Sequence, residues 1–263
     1  MMAANTSKRA DPTLICLHFL GGSMATWSAV IDRLAGRLRC LPFDLPGFGD
    51  AAGLPGYSVA DMADSIAARV KSSEVDRWVI AGHSMGAKIA AVLARRAEDG
   101  EAGLAGLRGM VLLGGSPPGP EPMQEEQRNA MLGWFTGDRA TWPEQARGYI
   151  DNNVASPLPP AVMECAMADL MRMRQAAWAA WLQSGSREDW AGRVDVLHTP
   201  TLILSGAEDA DLGEDAQRRL AAPHYASHRL VTLQDTGHLL PLERPDDVAG
   251  LIAAHVDHVC AAA

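Results

Sequence analysis

The chain has 263 residues, 48% of them hydrophobic and 21% charged, with a formal net charge of −9. That length supports one α/β domain carrying an insertion, with a core large enough to need no disulfide or metal staple. The acidic balance excludes an electrostatic nucleic-acid binder, and no apolar run reaches the roughly 18 residues that argue for a membrane span.

Residues 1–12 are polar and predict no signal peptide. Residues 13–19 form an unbroken apolar run, the pattern of a strand covered on both faces. The glycine loop Leu20-Gly21-Gly22-Ser23 ends it. Trp27, Val30, Ile31, Leu34 and Leu38 then recur at helical spacing. Residues 38–43 read as the next strand, closed by the turn Asp44-Leu45-Pro46-Gly47-Phe48-Gly49. Ser58 is placed to cap a helix, with Asp61 at the fourth position of a capping box. Val59, Met62, Ile66 and Val70 line that helix's inner face. Further strands follow at 78–81 and 109–114. Strand alternating with helix at this rhythm implies a doubly wound, mostly parallel sheet.

The rhythm breaks after Ser116. Residues 117–122, PPGPEP, are a stiff linker. From there to about residue 190 only helical patterns occur, interrupted by Pro157, Pro159 and Pro160. This stretch holds five of the seven tryptophans, Trp134, Trp142, Trp178, Trp181 and Trp190, together with Met163, Met167, Met171 and Met173. It reads as a helical cap lying over the carboxyl ends of the strands. Most of these side chains are expected to pack the cap onto the main domain, and a few to face a pocket. The expected organisation is a core at 1–116, a cap at 117–190 and the rest of the core at 191–263. Strands resume at 200–205 and 228–233. Pro245 opens a last helix, with Val248, Ile252 and Val256 on one side.

The chemistry centres on Gly82-His83-Ser84-Met85-Gly86, between the apolar run 78–81 and the helix formers of 88–94. Strand, sharp turn and helix with a serine at the turn read as a nucleophile elbow. A side chain at Gly82 or Gly86 would collide with the neighbouring strand or helix. The turn holds the Ser84 hydroxyl above a helix N-terminus, where the Met85 amide can stabilise an oxyanion. A serine needs a general base, and the base needs an orienting acid. Reacting groups gather outside the carboxyl ends of the strands. Ser84, Asp209 and His238 occupy three such ends, in the chain order Ser, Asp, His. Glu208 and Asp211 compete with Asp209, which has the Gly-x-x-Asp spacing after its strand. Asp44 and Asp235 read as turn residues. Among the eight histidines, His83 sits beside the nucleophile facing away, and His198, His224, His228, His255 and His258 are expected at the surface. The Leu20 amide is the second oxyanion donor expected.

Cys16, Cys40, Cys165 and Cys260 are scattered without metal-ligand spacing. Cys16 and Cys40 read as core thiols of a reducing, cytoplasmic setting. No metal and no cofactor are expected.

The pieces His18-Phe19-Leu20-Gly21-Gly22, Asp44-Leu45-Pro46-Gly47-Phe48-Gly49, Gly82-His83-Ser84-Met85-Gly86, Gly206-Ala207-Glu208-Asp209 and Gly237-His238-Leu239-Leu240-Pro241-Leu242-Glu243-Arg244-Pro245 span nearly the whole chain. In this order they resemble the α/β-hydrolase superfamily, of the small capped bacterial serine esterase type. Phe19 stands where that family usually has glycine. About a dozen residues precede Thr13, too few at roughly 3.3 Å each for the two extra strands the family often has. About six parallel strands are therefore expected. A serine at the elbow resembles the esterase branch; dehalogenases and epoxide hydrolases carry Asp there. The layout is also similar to the menaquinone-pathway lyase, with an arginine four residues after the nucleophile and more in the cap. Here those positions are Lys88, Arg128, and Arg172 or Arg174. In that comparison Lys88 would meet a substrate carboxylate; on helix pattern alone it reads as a surface lysine.

The resulting expectation is a serine hydrolase acting on a small to medium carboxylic ester, with no nucleic-acid or membrane partner. Phe19, Trp134, Trp178, Trp181 and Leu239 are the pocket residues expected. The alternatives are a lyase or carbon–carbon hydrolase using the same three residues, and a non-catalytic binding module on this fold.

Overall fold

A computed structural model of the chain describes residues 12–261. The expectation for residues 1–12 therefore lies, Pro12 apart, outside the described residues. Strands β1 (Thr13–Leu17), β2 (Cys40–Phe43), β3 (Trp78–His83), β4 (Leu107–Leu113), β5 (Thr201–Gly206) and β6 (His228–Leu233) form one sheet. Its order is β2-β1-β3-β4-β5-β6, and every neighbouring pair is parallel. This is the six-stranded doubly wound sheet that the strand–helix rhythm predicts.

Period-2 alternation divides the strands between two cores. Leu14, Cys16, Val79, Ala81, Val111, Leu113, Leu202 and Leu204 face one side. There they meet Val30 and Leu34 of α1 (Ser28–Leu34) and Val248, Ile252 and Val256 of the last helix, Pro245–Ala261. Ile15, Leu17, Trp78, Ile80, Met110, Leu112 and Ile203 face the other side, against α2 (Val59–Ser72) and α3 (Met85–Glu98). Both faces of the inner strands are covered, so these are mostly apolar, whereas the edge strand β6 is partly exposed and carries His228, Arg229 and Thr232.

Local chemistry sets the ends of these elements. Ser58 and Asp61 make the expected capping box at the start of α2. The periodicity at 27–38 overruns the real helix. Trp27 lies in a short 3₁₀ turn, Met24–Trp27, and α1 ends at Leu34. Gly36, at φ +77°, turns the chain away, and Leu38 reaches the same core from the loop. The first strand is also shorter than its apolar run. His18 leaves the ladder because its ring is needed in the turn: Nε2 accepts from the Leu45 amide at 3.0 Å and Nδ1 donates to the Phe19 carbonyl at 2.7 Å. Asp44 proves structural, accepting from the Met24 amide at 2.6 Å and the Asp50 amide at 2.7 Å.

Between β4 and β5 lie α4 (Glu125–Leu132), α5 (Trp142–Asp151), α6 (Pro160–Arg172) and α7 (Gln175–Gln183), with no strand. Pro160 sits in the first turn of α6, where its missing N–H costs nothing. An aromatic cluster of Trp134, Phe135, Tyr149 and Trp178 ties α4, α5 and α7 together, with ring centroids 5.0–6.3 Å apart. The Trp178 indole also donates to the Met131 carbonyl at 2.9 Å.

Since β2 and β3 flank β1, the chain reverses its winding direction between β1 and β3. The crevice outside the carboxyl ends of the strands opens there.

Candidate active site

Ser84 follows β3 at that crevice. Its backbone has φ +53° and ψ −116°, a left-handed turn that an ordinary residue holds only under strain. The flanking glycines explain how the turn is held. A Cβ on Gly82 would lie 2.5 Å from the Gly86 carbonyl oxygen, and one on Gly86 would lie 2.8 Å from that of Leu17. Helix and strand therefore approach more closely than any side chain permits. α3 starts at Met85, so the first amides of that helix open beside the serine.

His238 lies in the loop after β6, and Asp209 in the loop after β5. His238 Nδ1 donates to Asp209 Oδ2 at 2.7 Å. The second carboxylate oxygen, Oδ1, accepts from the amides of Asp211 at 3.1 Å and Leu212 at 2.9 Å. Burial opposes charge on both partners, but each holds the other charged. The His238 pKa is raised because the charge and hydrogen bond of Asp209, helped by Glu121 and Asp211, outweigh burial. The Asp209 pKa is lowered because His238 and the two amides outweigh burial. Glu208, the competing acid, is exposed. Asp211 instead accepts from Gln127 Nε2 at 2.8 Å.

Several supporting residues carried no sequence signal. Gly114, at φ +46°, leaves room for the histidine, since a Cβ there would lie 3.0 Å from His238 Nδ1. His83 does not simply face away. Its Nε2 donates to the His238 carbonyl at 2.8 Å, and burial, with His238 nearby, depresses its pKa to about 3. Glu243 accepts from the amides of Gly237 at 3.0 Å and Leu239 at 3.1 Å, on either side of His238. It also accepts from the Ala155 amide at 2.8 Å. The Asn153 carbonyl takes the His238 amide at 2.8 Å, and Tyr149 donates its hydroxyl to the Leu20 carbonyl at 3.0 Å. The segment around α5 thus braces both the loop after β1 and the loop after β6.

Ser84, Asp209 and His238 border one cavity of about 250 Å³. Leu20, Met131, Trp134, Tyr149, Trp181 and Leu212 supply much of its apolar wall, and Glu121, Asn152, Asn153 and Asp211 its polar wall. Of the pocket residues expected, Trp134 and Trp181 line it. Phe19, Trp178 and Leu239 do not; each is buried behind the wall. The Phe19 ring packs 5.1 Å from the His83 ring, under the glycine loop, where Gly22 leaves it space.

Lys88 is neither a surface residue nor a cavity residue. It is fully buried and donates to the carbonyls of Gly185, Ser186 and Glu188 at 3.1–3.4 Å. Arg128 is buried on the Leu182 carbonyl and Ser186 Oγ. Arg172 pairs with Asp50 and Asp169 at 2.8 Å. Arg174 reaches the Ala52 carbonyl at 3.4 Å. His255 also departs from the surface expectation: it packs against Gly109, and burial lowers its pKa to about 4. Among the described residues no group of His, Cys, Asp or Glu is arranged to hold a metal ion. No helix among them is long and apolar enough to cross a membrane.

This geometry has a family. Residues 14–251 match the model for the Alpha/beta hydrolase family. The chain belongs to that family. It is 29% identical over 262 residues to the pimeloyl-[acyl-carrier protein] methyl ester esterase of Aromatoleum aromaticum, covering 92% of this chain and 96% of that one. It is 27% identical over 229 residues to the 2-succinyl-6-hydroxy-2,4-cyclohexadiene-1-carboxylate synthase of Serratia proteamaculans, covering 82% and 86%. Among solved structures, an esterase from Exiguobacterium antarcticum superposes with a TM-score of 0.81 at 18% identity, over 94% of this chain and 92% of that one. That last likeness is one of fold.

Proposed function

We propose that this α/β hydrolase is a serine carboxylesterase that cleaves small to medium carboxylic esters through an acyl-enzyme. Ser84 Oγ attacks the ester carbonyl while His238 takes its proton. The carbonyl carbon–alkoxy oxygen bond breaks, and the same proton passes to the leaving alcohol. Water then gives a proton to His238 and a hydroxyl to the acyl carbon, and Ser84 leaves with that proton. Asp209 orients the ring and stabilises the imidazolium. The Met85 and Leu20 amides receive the oxyanion. Helices α4–α7 act as the cap.

The observation that carries this reading is the 2.7 Å His238–Asp209 pair sharing one cavity with a serine on a positive-φ turn. The lyase alternative gains less support, because none of Lys88, Arg128, Arg172 and Arg174 lines the cavity. Four free thiols suit a reducing compartment such as the cytoplasm.

The test is a series of p-nitrophenyl esters, run with Ser84→Ala beside the wild type. The variant is expected to lose several orders of magnitude in turnover while staying folded. Specificity is expected to rise by up to about fourfold per methylene, because each buried CH₂ contributes roughly 0.8 kcal/mol. It then falls once the acyl chain outgrows a cavity of about 250 Å³. Undiminished turnover in Ser84→Ala removes the catalytic reading, and a flat acyl profile removes the pocket from it.

A further inference from the structure

The polar side of the catalytic cavity carries charge of one sign. Glu121 lines it, half-buried, and Asp211 stands exposed at its edge. The remaining charged groups there are Asp209 and His238, which are already paired. No lysine or arginine is among the described residues that line it. The same lining presents three electron-rich rings, those of Trp134, Tyr149 and Trp181, the last with Lys88 Nζ 5.8 Å from its centroid.

Glu121 is held rigidly. It sits in the proline-rich stretch 117–122, and its amide donates to the Ser186 carbonyl at 2.8 Å. Burial raises the pKa of its carboxyl, against the hydrogen bond of Ser116 and the charges of Lys88, His238 and Arg128. The two buried cations give their hydrogen bonds to other oxygens: Lys88 to three carbonyls, Arg128 to Leu182 and Ser186. A half-buried carboxyl whose nearest cations are bound to other oxygens gains from a cation brought to it. Aromatic faces attract the same cation, most strongly where water is excluded. An anionic substrate meets repulsion from both acids in the same space.

We infer that the site selects esters bearing a cationic group, a quaternary or primary ammonium, seated between Glu121 and the rings of Trp134, Tyr149 and Trp181. This rests on the serine-hydrolase reading for its chemistry and on the cavity alone for its binding. Glu121 is then a specificity-determining residue, and Asp211 draws the cation in from solvent.

Two measurements test it. In the first, kcat/KM is compared for butyrylthiocholine and its uncharged isostere, the 3,3-dimethylbutyl thioester of butyrate. The ratio is taken within each preparation, so the amount of folded enzyme cancels. The wild type is expected to favour the cation about tenfold or more, and Glu121→Gln to bring the ratio close to one. Asp211→Asn, an exposed change, is expected to lower it by a smaller factor. A wild-type ratio near one, or an unaltered ratio in Glu121→Gln, overturns the inference. In the second, quenching of tryptophan fluorescence by benzyltrimethylammonium and by benzoate is followed in wild type and Ser84→Ala. At least tenfold tighter binding of the cation in both, weakened by Glu121→Gln, supports the inference whether or not any ester is cleaved. Equal or tighter binding of benzoate overturns it. Failure to hydrolyse either thioester, with cation binding intact, counts against the esterase reading and leaves the cation site standing.

Discussion

Lys88→Met tests how the helix behind Ser84 is tied to the helical segment above it. Lys88 lies one turn after Ser84 on α3, fully buried, with its ammonium on three carbonyls of residues 185–188. Burial lowers its pKa from an ordinary 10.5 to about 8, with Glu121, Glu188 and Asp189 opposing the fall. The folded chain therefore holds this proton less tightly than the unfolded chain does. A lysine shifted this way costs stability while both states are protonated. The cost shrinks as pH climbs from the folded pKa towards the unfolded one. At about 1.4 kcal/mol per tenfold change in proton affinity, the cost at pH 7 is about 3 kcal/mol. Roughly 2 kcal/mol of that is recovered by pH 9.5, where the folded amine is neutral and the unfolded one still charged. Methionine keeps the length of the chain and has no proton to lose. Urea unfolding of wild type and variant at the two pH values gives the comparison. The stability difference is expected to move by about 2 kcal/mol in favour of the wild type on going to pH 9.5. Thiols and tyrosines that titrate there are present in both proteins and cancel. The carbonyls left without a donor weigh on the variant at both pH values and cancel as well. A difference that stays constant, or moves the other way, refutes the buried-ammonium account of Lys88.

Two further outcomes follow from the geometry around His238. His238 as the proposed base works only when neutral, and its pKa is raised, so kcat/KM is expected to climb with pH through a midpoint above the ordinary 6.5 of histidine. Asp209→Asn removes the largest raising influence, so the midpoint moves to lower pH while the plateau falls by about 10³–10⁴-fold. A midpoint that stays in place in the variant contradicts the pairing. Glu243→Gln retains size but loses the charged acceptor of three amides, and about 1.5–3 kcal/mol of stability is expected to go with it. The urea midpoint reads that loss, and an unchanged midpoint sinks the clamp.

What the sequence made legible follows from how local each signal is. The inner strands could be read because buried parallel strands need apolar runs, and each run declares itself within half a dozen residues; the edge strand β6 mixes polar and apolar residues and was marked by its β-branched content. Their ends were less visible. His18 and Phe19 are apolar enough to extend β1, but His18 leaves the ladder to bind Leu45, a partner 27 positions away. Ser84, Asp209 and His238 each follow a strand in a glycine-marked turn, so the turn chemistry singles them out before any contact is known. The residues that hold them carry no such mark. Glu243 acts through amides at 155, 237 and 239, and Gly114 matters because of a ring 124 positions further on. Lys88 shows the limit most clearly. Helix periodicity places a residue on a face of α3, but what covers that face is decided by the turn at 185–188, almost a hundred residues later. Separation along the chain hides Glu121 as well. Prolines mark its neighbourhood as a linker, and only the fold brings it into one cavity lining with Trp134, Tyr149 and Trp181, the grouping on which the proposed selection of substrate charge rests.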